Sequence, residues 1–397
     1  MNIYTLLLFF LFFLWGCNNQ PQKLCDSTLP ILDYNQEYPE KKIDIHEIAD
    51  IEYIPLETTK ESVITTGWQN YISDEYIITK DIDRVHVFNR NGKHVHSFDH
   101  TGSGPNEYYH ISELCVDFNK KEIYISDTKK IQVYSFTGEW IRTICSIPKG
   151  IIPEFTYNYN KQYLITHNVF HDYFNIEKLP VDKKPYYLID KETGKFPPLP
   201  LAVEKRVSRV IKKEIKNISE NVAQRIVEKI LIEPILANGS EILIADFGLD
   251  TLFSYKNGLL TPITVQYPSV HNSNPPIVIA PYFYTDQFFI FKPIEMKYEP
   301  KYVLKPMDDA PLMMWNRKNN NLYRIKLFDS KRPEKNINWS MKRVQFDNPN
   351  HVRLLYAADQ LYEEYQEGKL KGELKEIASR LKEDDNWVMV ICKIKND

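Results

Sequence analysis

The sequence predicts an all-β protein, a six-bladed β-propeller, and three observations carry that expectation. First, a unit of strand, Asp-containing turn, aromatic-ended strand and glycine turn recurs at a constant offset. Asp81 to Asp127, Phe88 to Tyr134 and Gly92 to Gly138 are each 46 residues apart. Second, a further copy runs from Glu241 to Gly258, where Asp246 to Phe253 keeps the seven-residue spacing of Asp81 to Phe88 and Asp127 to Tyr134. A degenerate copy, Tyr186 to Gly194, lies between. Third, 26 Tyr and 20 Phe against 13 Gly in 397 residues is the balance of a strand-rich globular chain. A meander with a period of roughly 40 to 50 residues cannot bury both faces alone. Stacked around an axis it can, with few exposed edges. About eight such units would fill the chain, and six fit once a leader, a tether and helices are set aside.

Taken from the N-terminus, Leu6 to Trp15 is an unbroken apolar run, too short for the roughly twenty residues of a spanning helix and suited to the core of a signal peptide. No Lys or Arg precedes it. Gly16 and Cys17 follow at once, and Leu14-Trp15-Gly16-Cys17 resembles a bacterial lipobox. That resemblance implies a signal peptide over 1–16 and acylation of Cys17. Residues 17–42 then form the lipidated cysteine and a polar tether containing Pro21 and Pro30. The remaining cysteines, Cys25, Cys115, Cys145 and Cys392, could form two bridges in any of three pairings. None has CxxC spacing, which disfavours zinc. Cys115, Cys145 and Cys392 lie in apolar strand-like contexts and are expected to be buried free thiols.

Residues 43–397 are assigned to the propeller, with two helical interruptions. Over about 202–232, Val207, Ile211, Ile215, Ile218, Val222, Ile226 and Ile230 recur in steps of four and three, the spacing of one helix face. The rest of that segment is rich in Lys and Arg, and its apolar stripe is expected to pack on the propeller flank. A membrane surface or a partner helix is the other use of such a stripe. A C-terminal helix is expected over about 352–382, with Leu354, Ala358, Leu361 and Tyr365 in register and a break near Gly368 and Gly372. The strand Trp387 to Ile394 should then pair with the region near Ile51 to Leu56 and close the ring.

A family resemblance rests on four stretches. These are I-D-I-H-E-I-A-D-I-E-Y-I-P-L-E-T-T (Ile43 to Thr59), G-S-G-P-N-E-Y (Gly102 to Tyr108), D-T-L-F (Asp250 to Phe253) and the tail D-D-N-W-V-M-V-I-C-K-I-K (Asp384 to Lys395). Together they resemble the six-bladed β-propeller lipoproteins, mostly uncharacterised, of certain Gram-negative bacteria. Asn106 stands where that family usually has a glycine, and Trp387 where it has a proline. The resemblance implies a cell-envelope lipoprotein. In some Gram-negative groups, acids just after the lipidated cysteine direct surface display. Here the first acid is Asp26, which points to the outer membrane with the domain facing the periplasm, surface exposure being the other arrangement.

Lys plus Arg number 50 against 53 Asp plus Glu, for a formal charge of −3, so the basic footprint of a nucleic-acid binder is missing. No nucleophile elbow, P-loop, dinucleotide fingerprint or HExxH occurs, and no catalytic residue is assigned. In a propeller, second-to-third strand turns and blade-to-blade crossovers open on one face. Asp81, Asp127 and Asp246 fall in the first kind, and Gly102, Gly104, Glu107 and Tyr108 in the second. These seven are the candidate ligand-binding residues. The bland reading is equally concrete: Asp caps turns, and Gly-x-Gly-Pro suits any tight crossover. His94 and His96 share a strand face, and His167 and His171 have helical spacing, but three or four converging ligands would be needed for a metal. The expected function is a lipid-anchored extracytoplasmic binding or interaction module for a glycan, a peptide or an envelope protein. No cofactor is predicted. The alternative is a lactonase-like hydrolase or lyase holding calcium or another divalent cation in the central channel.

Overall fold

The computed structural model describes residues 29–67, 69–169, 182–219, 222–230, 232–297, 311–333, 337 and 343–395. Among them, six blade sheets and one separate hairpin make up the β structure. Blade 1 contains Gln69–Ile72, Tyr76–Asp81, Arg84–Asn89 and His94–Phe98, and blade 2 contains Glu113–Asp117, Glu122–Ser126, Lys130–Ser135 and Trp140–Ser146. Blade 3 has three ladder strands, Pro153–Asn158, Tyr163–Asn168 and Tyr186–Asp190, with Pro198 bridged back to Tyr187. Blade 4 is Ile235–Asn238, Glu241–Ile244, Thr251–Lys256 and Leu259–Tyr267, and blade 5 is Ile277–Tyr284, Phe288–Glu295, Met313–Asn316 and Leu322–Phe328. Blade 6 joins His351–Tyr356 and Val388–Ile394 to Ala49–Pro55 from the other end of the chain.

The repeat read from the sequence maps onto blades 1, 2 and 4. Its glycines, Gly92, Gly138 and Gly258, occupy the third-to-fourth turns with φ of 80°, 76° and 77°. Gly92 is also fixed by space, since a Cβ there would overlap the Pro55 carbonyl oxygen. That contact seats the turn of blade 1 on blade 6. The degenerate copy is the third strand of blade 3. Ring closure follows the expected pairing, with Val388 opposite Pro55 and Ile394 opposite Ala49.

The chain reaches that closing strand by a route the composition does not reveal. Ile31–Asp33 adds in parallel to the outer strand of blade 4, and Glu40–Asp44 adds in parallel to the outer strand of blade 5. A four-residue helix, α1 (Ile45–Ile48), N-capped by Asp44, then leads into Ala49–Pro55. The N-terminal segment is therefore a belt across three consecutive blades. The tether expected over 17–42 is shorter than that, because 31–33 and 40–44 are sheet. Only Leu32 and Ile43 of these strands are buried, so the stretch reads as polar.

Two further expectations are corrected. The insertion at 202–232 is not helical: Val210–Ser219 and Val222–Lys229 form an antiparallel hairpin. Every member of its apolar stripe is Ile or Val, whose β-branching favours a strand over a helix. The C-terminal helix over 352–382 is also smaller than expected. Val352 to Tyr356 belongs to a blade strand, and two short helices follow, α2 (Ala358–Gln366) and α3 (Gly372–Ala378). They are separated where Gly368 and Gly372 take φ of 72° and 55°.

The core lies between blades and is rich in tyrosine. Tyr71, Tyr108, Tyr124, Tyr134, Tyr157 and Tyr186 are among the largest fully buried side chains. Their phenols reach partners across the seams: Tyr71 donates to the Leu114 carbonyl of blade 2, and Tyr186 of blade 3 donates to Asp246 of blade 4 at 2.6 Å. The channel itself is filled. Arg343–Phe346 runs parallel to Gln69–Ile72 of blade 1 and touches Ile235–Asn238 of blade 4 across the ring. Beyond it, the Asn350 N–H donates to Asn238 Oδ1 at 2.7 Å, and Asn350 Nδ2 donates to Asp286 at 2.8 Å. The turn that follows the channel strand is thereby fastened to blades 4 and 5.

Candidate functional site

Successive connections of an up-and-down meander alternate between the two ends of the channel. The hairpin, α2 and α3, and the long connections after Asn168, Glu295 and Phe328 all leave from one end. The other end carries tight turns such as 73–75, 118–121 and 257–258. The seven candidate residues lie on the elaborated end, as the propeller topology requires.

Their side chains are committed to the loops that carry them. Asp81 accepts from the Thr65 and Thr66 N–H groups at 2.7 and 2.6 Å and from the Thr66 hydroxyl at 2.6 Å. Burial pushes its carboxyl up, but the donors from Thr66, Thr65 and Gly67 outweigh that and hold it below the usual range. Asp127 closes its own turn through the Lys129 and Lys130 N–H groups at 2.6 and 2.9 Å. Glu107 folds back on its crossover and accepts from the Gly104 N–H at 2.7 Å, filling the space where Gly102 has no side chain. The Tyr108 phenol donates to the Asp83 carbonyl at 2.8 Å, with no exposed surface. Asn106 does not adopt positive φ, and its carbonyl accepts from Tyr134 at 2.8 Å, so asparagine suits this turn. Two large apolar side chains face solvent beside these groups, Ile82 at 58% exposure and Tyr109 at 73%, among exposed polar neighbours such as Arg84, Ser103, Asn106 and Lys129.

Asp246 is different, because it joins a buried polar cluster at the seam of blades 3 and 4. Its Oδ2 takes the Tyr186 phenol and lies 3.8 Å from His167 Nε2, while Oδ1 accepts from the Gly248 N–H. Burial first, and then the Asp246 charge, push the Tyr186 phenol far above its ordinary pKa. Arg206 reaches His167 at 3.3 Å and the Asn168 carbonyl at 2.9 Å, and Arg209 pairs with Glu154. Phe155, next to Glu154, has φ of 56° at a register shift in the innermost strand, which aims the Thr156 N–H at Glu113 of blade 2. No motif or spacing marks this grouping, whose members come from two blades and the hairpin's base. The partner residue His171 lies outside the described residues, and His167 is on a strand, not a helix.

Among the described residues, the one trio able to share an ion is Asp44, His46 and Asp329, at the seam of blades 5 and 6. Asp329 is fully buried and accepts from Tyr53, Tyr356, the Lys331 N–H and His46 at 2.8 to 3.0 Å. It is a hydrogen-bond hub that ties the belt to the last blade. His94 and His96 lie on the outer strand of blade 1, where His94 bonds Ser97. Cys17 and Cys25 lie outside the described residues. Cys115, Cys145 and Cys392 are free thiols, the first and last buried, and burial pushes the Cys145 thiol up to about 11.

The family model described as "Domain of unknown function (DUF4934)" matches residues 29–393. The chain belongs to that family. The match begins just ahead of the Ile31–Asp33 strand, so the belt is part of the family's domain. None of the curated proteins matches the sequence. Among solved structures, a Bacteroides fragilis protein classed as exported is similar at 14% identity and a TM-score of 0.61, covering 92% of this chain and 100% of its own. That likeness establishes the propeller fold. A member of the DUF4221 family from Bacteroides vulgatus is similar at 11% identity and a TM-score of 0.48, covering 88% of this chain and 98% of its own.

Proposed function

We propose that this DUF4934 protein is a lipid-anchored, extracytoplasmic propeller that works as a binding or interaction module, held at the outer membrane through Cys17. One observation carries the reading: the chain's own 343–350 segment stands in the channel, while the hairpin, α2, α3 and the long connections all leave from one end. A propeller whose axis is occupied by its own strand offers its surface, and here one surface is elaborated and the other minimal. The ligand surface is the elaborated end, around Asp81, Asp127, Asp246 and the Gly102 to Tyr108 crossover. There the committed side chains hold the loops, and Ile82 and Tyr109 present the contact groups. A glycan, a peptide or an envelope protein is the expected partner.

Two measurements test this. In a Gram-negative host, Cys17→Ser should move the full chain from the membrane to the soluble fraction, and unchanged membrane retention refutes the anchor. A photo-crosslinking residue at Tyr109 should capture an envelope component that the same residue at Lys120, on the minimal end, does not. Equal capture from both ends, or none, refutes the assignment of the face.

A further inference from the structure

Blade 3 has three ladder strands plus the short edge 197–199 that pairs with Tyr186 to Leu188, whereas Ile31–Asp33 gives blade 4 a fifth strand, so among the described residues blade 4 reaches one strand further out and overhangs its neighbour. Leu32 and Leu252 pack toward blade 5, with Ile279 and Phe289. Strand alternation therefore sends Ile31, Val265 and Tyr267 to the other side, over the short blade. Ile31 is 64% exposed and Tyr267 54%, two of the most exposed large apolar side chains described. Ile31 is opposite Val265 and Asp33 opposite Tyr267, so the two exposed residues are diagonal neighbours on one face.

The position of this face matters because the described part of the chain begins there. Pro30, at the start of the described residues, is fastened to this edge: its carbonyl accepts from the Val265 N–H at 3.0 Å and the Thr264 hydroxyl at 2.7 Å. From Cys17 to Ile31 the backbone spans at most about 50 Å even when fully extended. The outer edge of blade 4 is thus the part of the propeller bound closest, along the chain, to an acylated Cys17.

We infer that the overhang of blade 4 is the surface on which the anchored propeller rests against the lipid bilayer. This rests on the reading that Cys17 is acylated. An aliphatic side chain beside a tyrosine suits the interface, where an aromatic body sits among acyl chains and its hydroxyl stays in the headgroup layer. The elaborated end and the flank of blade 1, opposite blade 4, are then left facing away from or across the membrane plane.

Hydrogen exchange on vesicles of phosphatidylethanolamine and phosphatidylglycerol tests it. The acylated full chain should take up less deuterium over 31–33 and 259–267 on vesicles than in detergent, with no change over His94–Phe98 of blade 1. The double variant Ile31→Asp, Tyr267→Asp should lose that protection while staying in the membrane fraction. Protection that is absent, equal on blade 1, or dependent on protein density on the vesicle overturns the proposal, the last because it marks contact between copies. The anchor is tested separately by a chain from Asn18 with an N-terminal hexahistidine tag, held on vesicles containing a nickel-chelating lipid. Protection of blade 4 there supports the flank even if Cys17 proves unacylated, and its absence refutes the flank whatever the anchor.

Discussion

The ammonium of Lys191, at the end of the third strand of blade 3, lies 2.6 Å from the carboxylate of Asp117 in blade 2, and their side chains are 0% and 3% exposed. Lys191 also donates to Asn158 Oδ1 and the Asn160 carbonyl, both at 2.7 Å. Breaking such a pair from one side strands a buried charge. Lys191→Met is expected to lower unfolding stability by about 3–5 kcal/mol, read from urea unfolding. Adding Asp117→Asn should recover part of that loss, and a double variant worse than the single would contradict the pairing.

The belt makes the second prediction. A chain starting at Ile43, where the family resemblance begins, lacks Ile31–Asp33 and most of Glu40–Asp44, which cover the outer edges of blades 4 and 5. Compared with one starting at Thr28, it should melt lower and aggregate more readily, because two strand edges become open to other chains. Equal melting and light scattering would show the belt to be dispensable.

At the crossover, Gly102 is required by the side chain that folds over it. Gly102→Ala should expel the Glu107 carboxylate from its contact with the Gly104 N–H and cost on the order of 1–3 kcal/mol. Glu107→Gln keeps an acceptor and should cost less. The reverse order of the two melting temperatures would disprove this account.

His86 supplies a pH dependence. It is fully buried, its Nδ1 is 2.8 Å from Ser97 Oγ, and desolvation, with a smaller part from Arg84 and His94, pushes its pKa down to about 4. The unfolded chain therefore binds the proton more readily between about pH 6.5 and 4. Stability should fall as pH drops through that window, by a total on the order of 3 kcal/mol, and level off below it. His86→Gln should flatten this part of the profile measured by urea titration.

Calcium, magnesium and zinc bear on the three turn aspartates. Since Asp81, Asp127 and Asp246 already hold backbone N–H or phenol donors, replacing all three by Ala should lower the melting temperature strongly. Any shift produced by an added cation should be the same in variant and parent. A stabilisation by one ion that the variant loses would place a cation site on this face and favour the enzymatic alternative.

The blades were legible because their signals are local. An Asp after the second strand and a Gly at positive φ before the fourth are turn chemistry, readable within ten residues. The closing strand was legible from its apolar run. The belt and the channel strand were not, because pairings of three to five residues across the whole chain leave no periodicity of their own. The hairpin misled through spacing: steps of three and four imitate a helix face, and only the uniform Ile and Val content argued otherwise. In the candidate site, Asp246 was visible as a turn former. His167, Tyr186, Arg206 and Glu154 become neighbours only when blade 3 and the base of the hairpin meet blade 4.

Order of synthesis turns the belt into a timing problem. Pro30 and Thr264, joined by a hydrogen bond, are 234 residues apart, and Thr58 and Asn386 are 328 apart. The first strands made are thus among the last to find partners, after blades 1, 2 and 3 have had the chance to form on their own. Such long-range closure is slow, and while it is pending both the waiting N-terminal strands and the half-ring expose unpaired edges. A nascent chain of this topology gains most from being shielded early, at its beginning, and until its very end has been delivered.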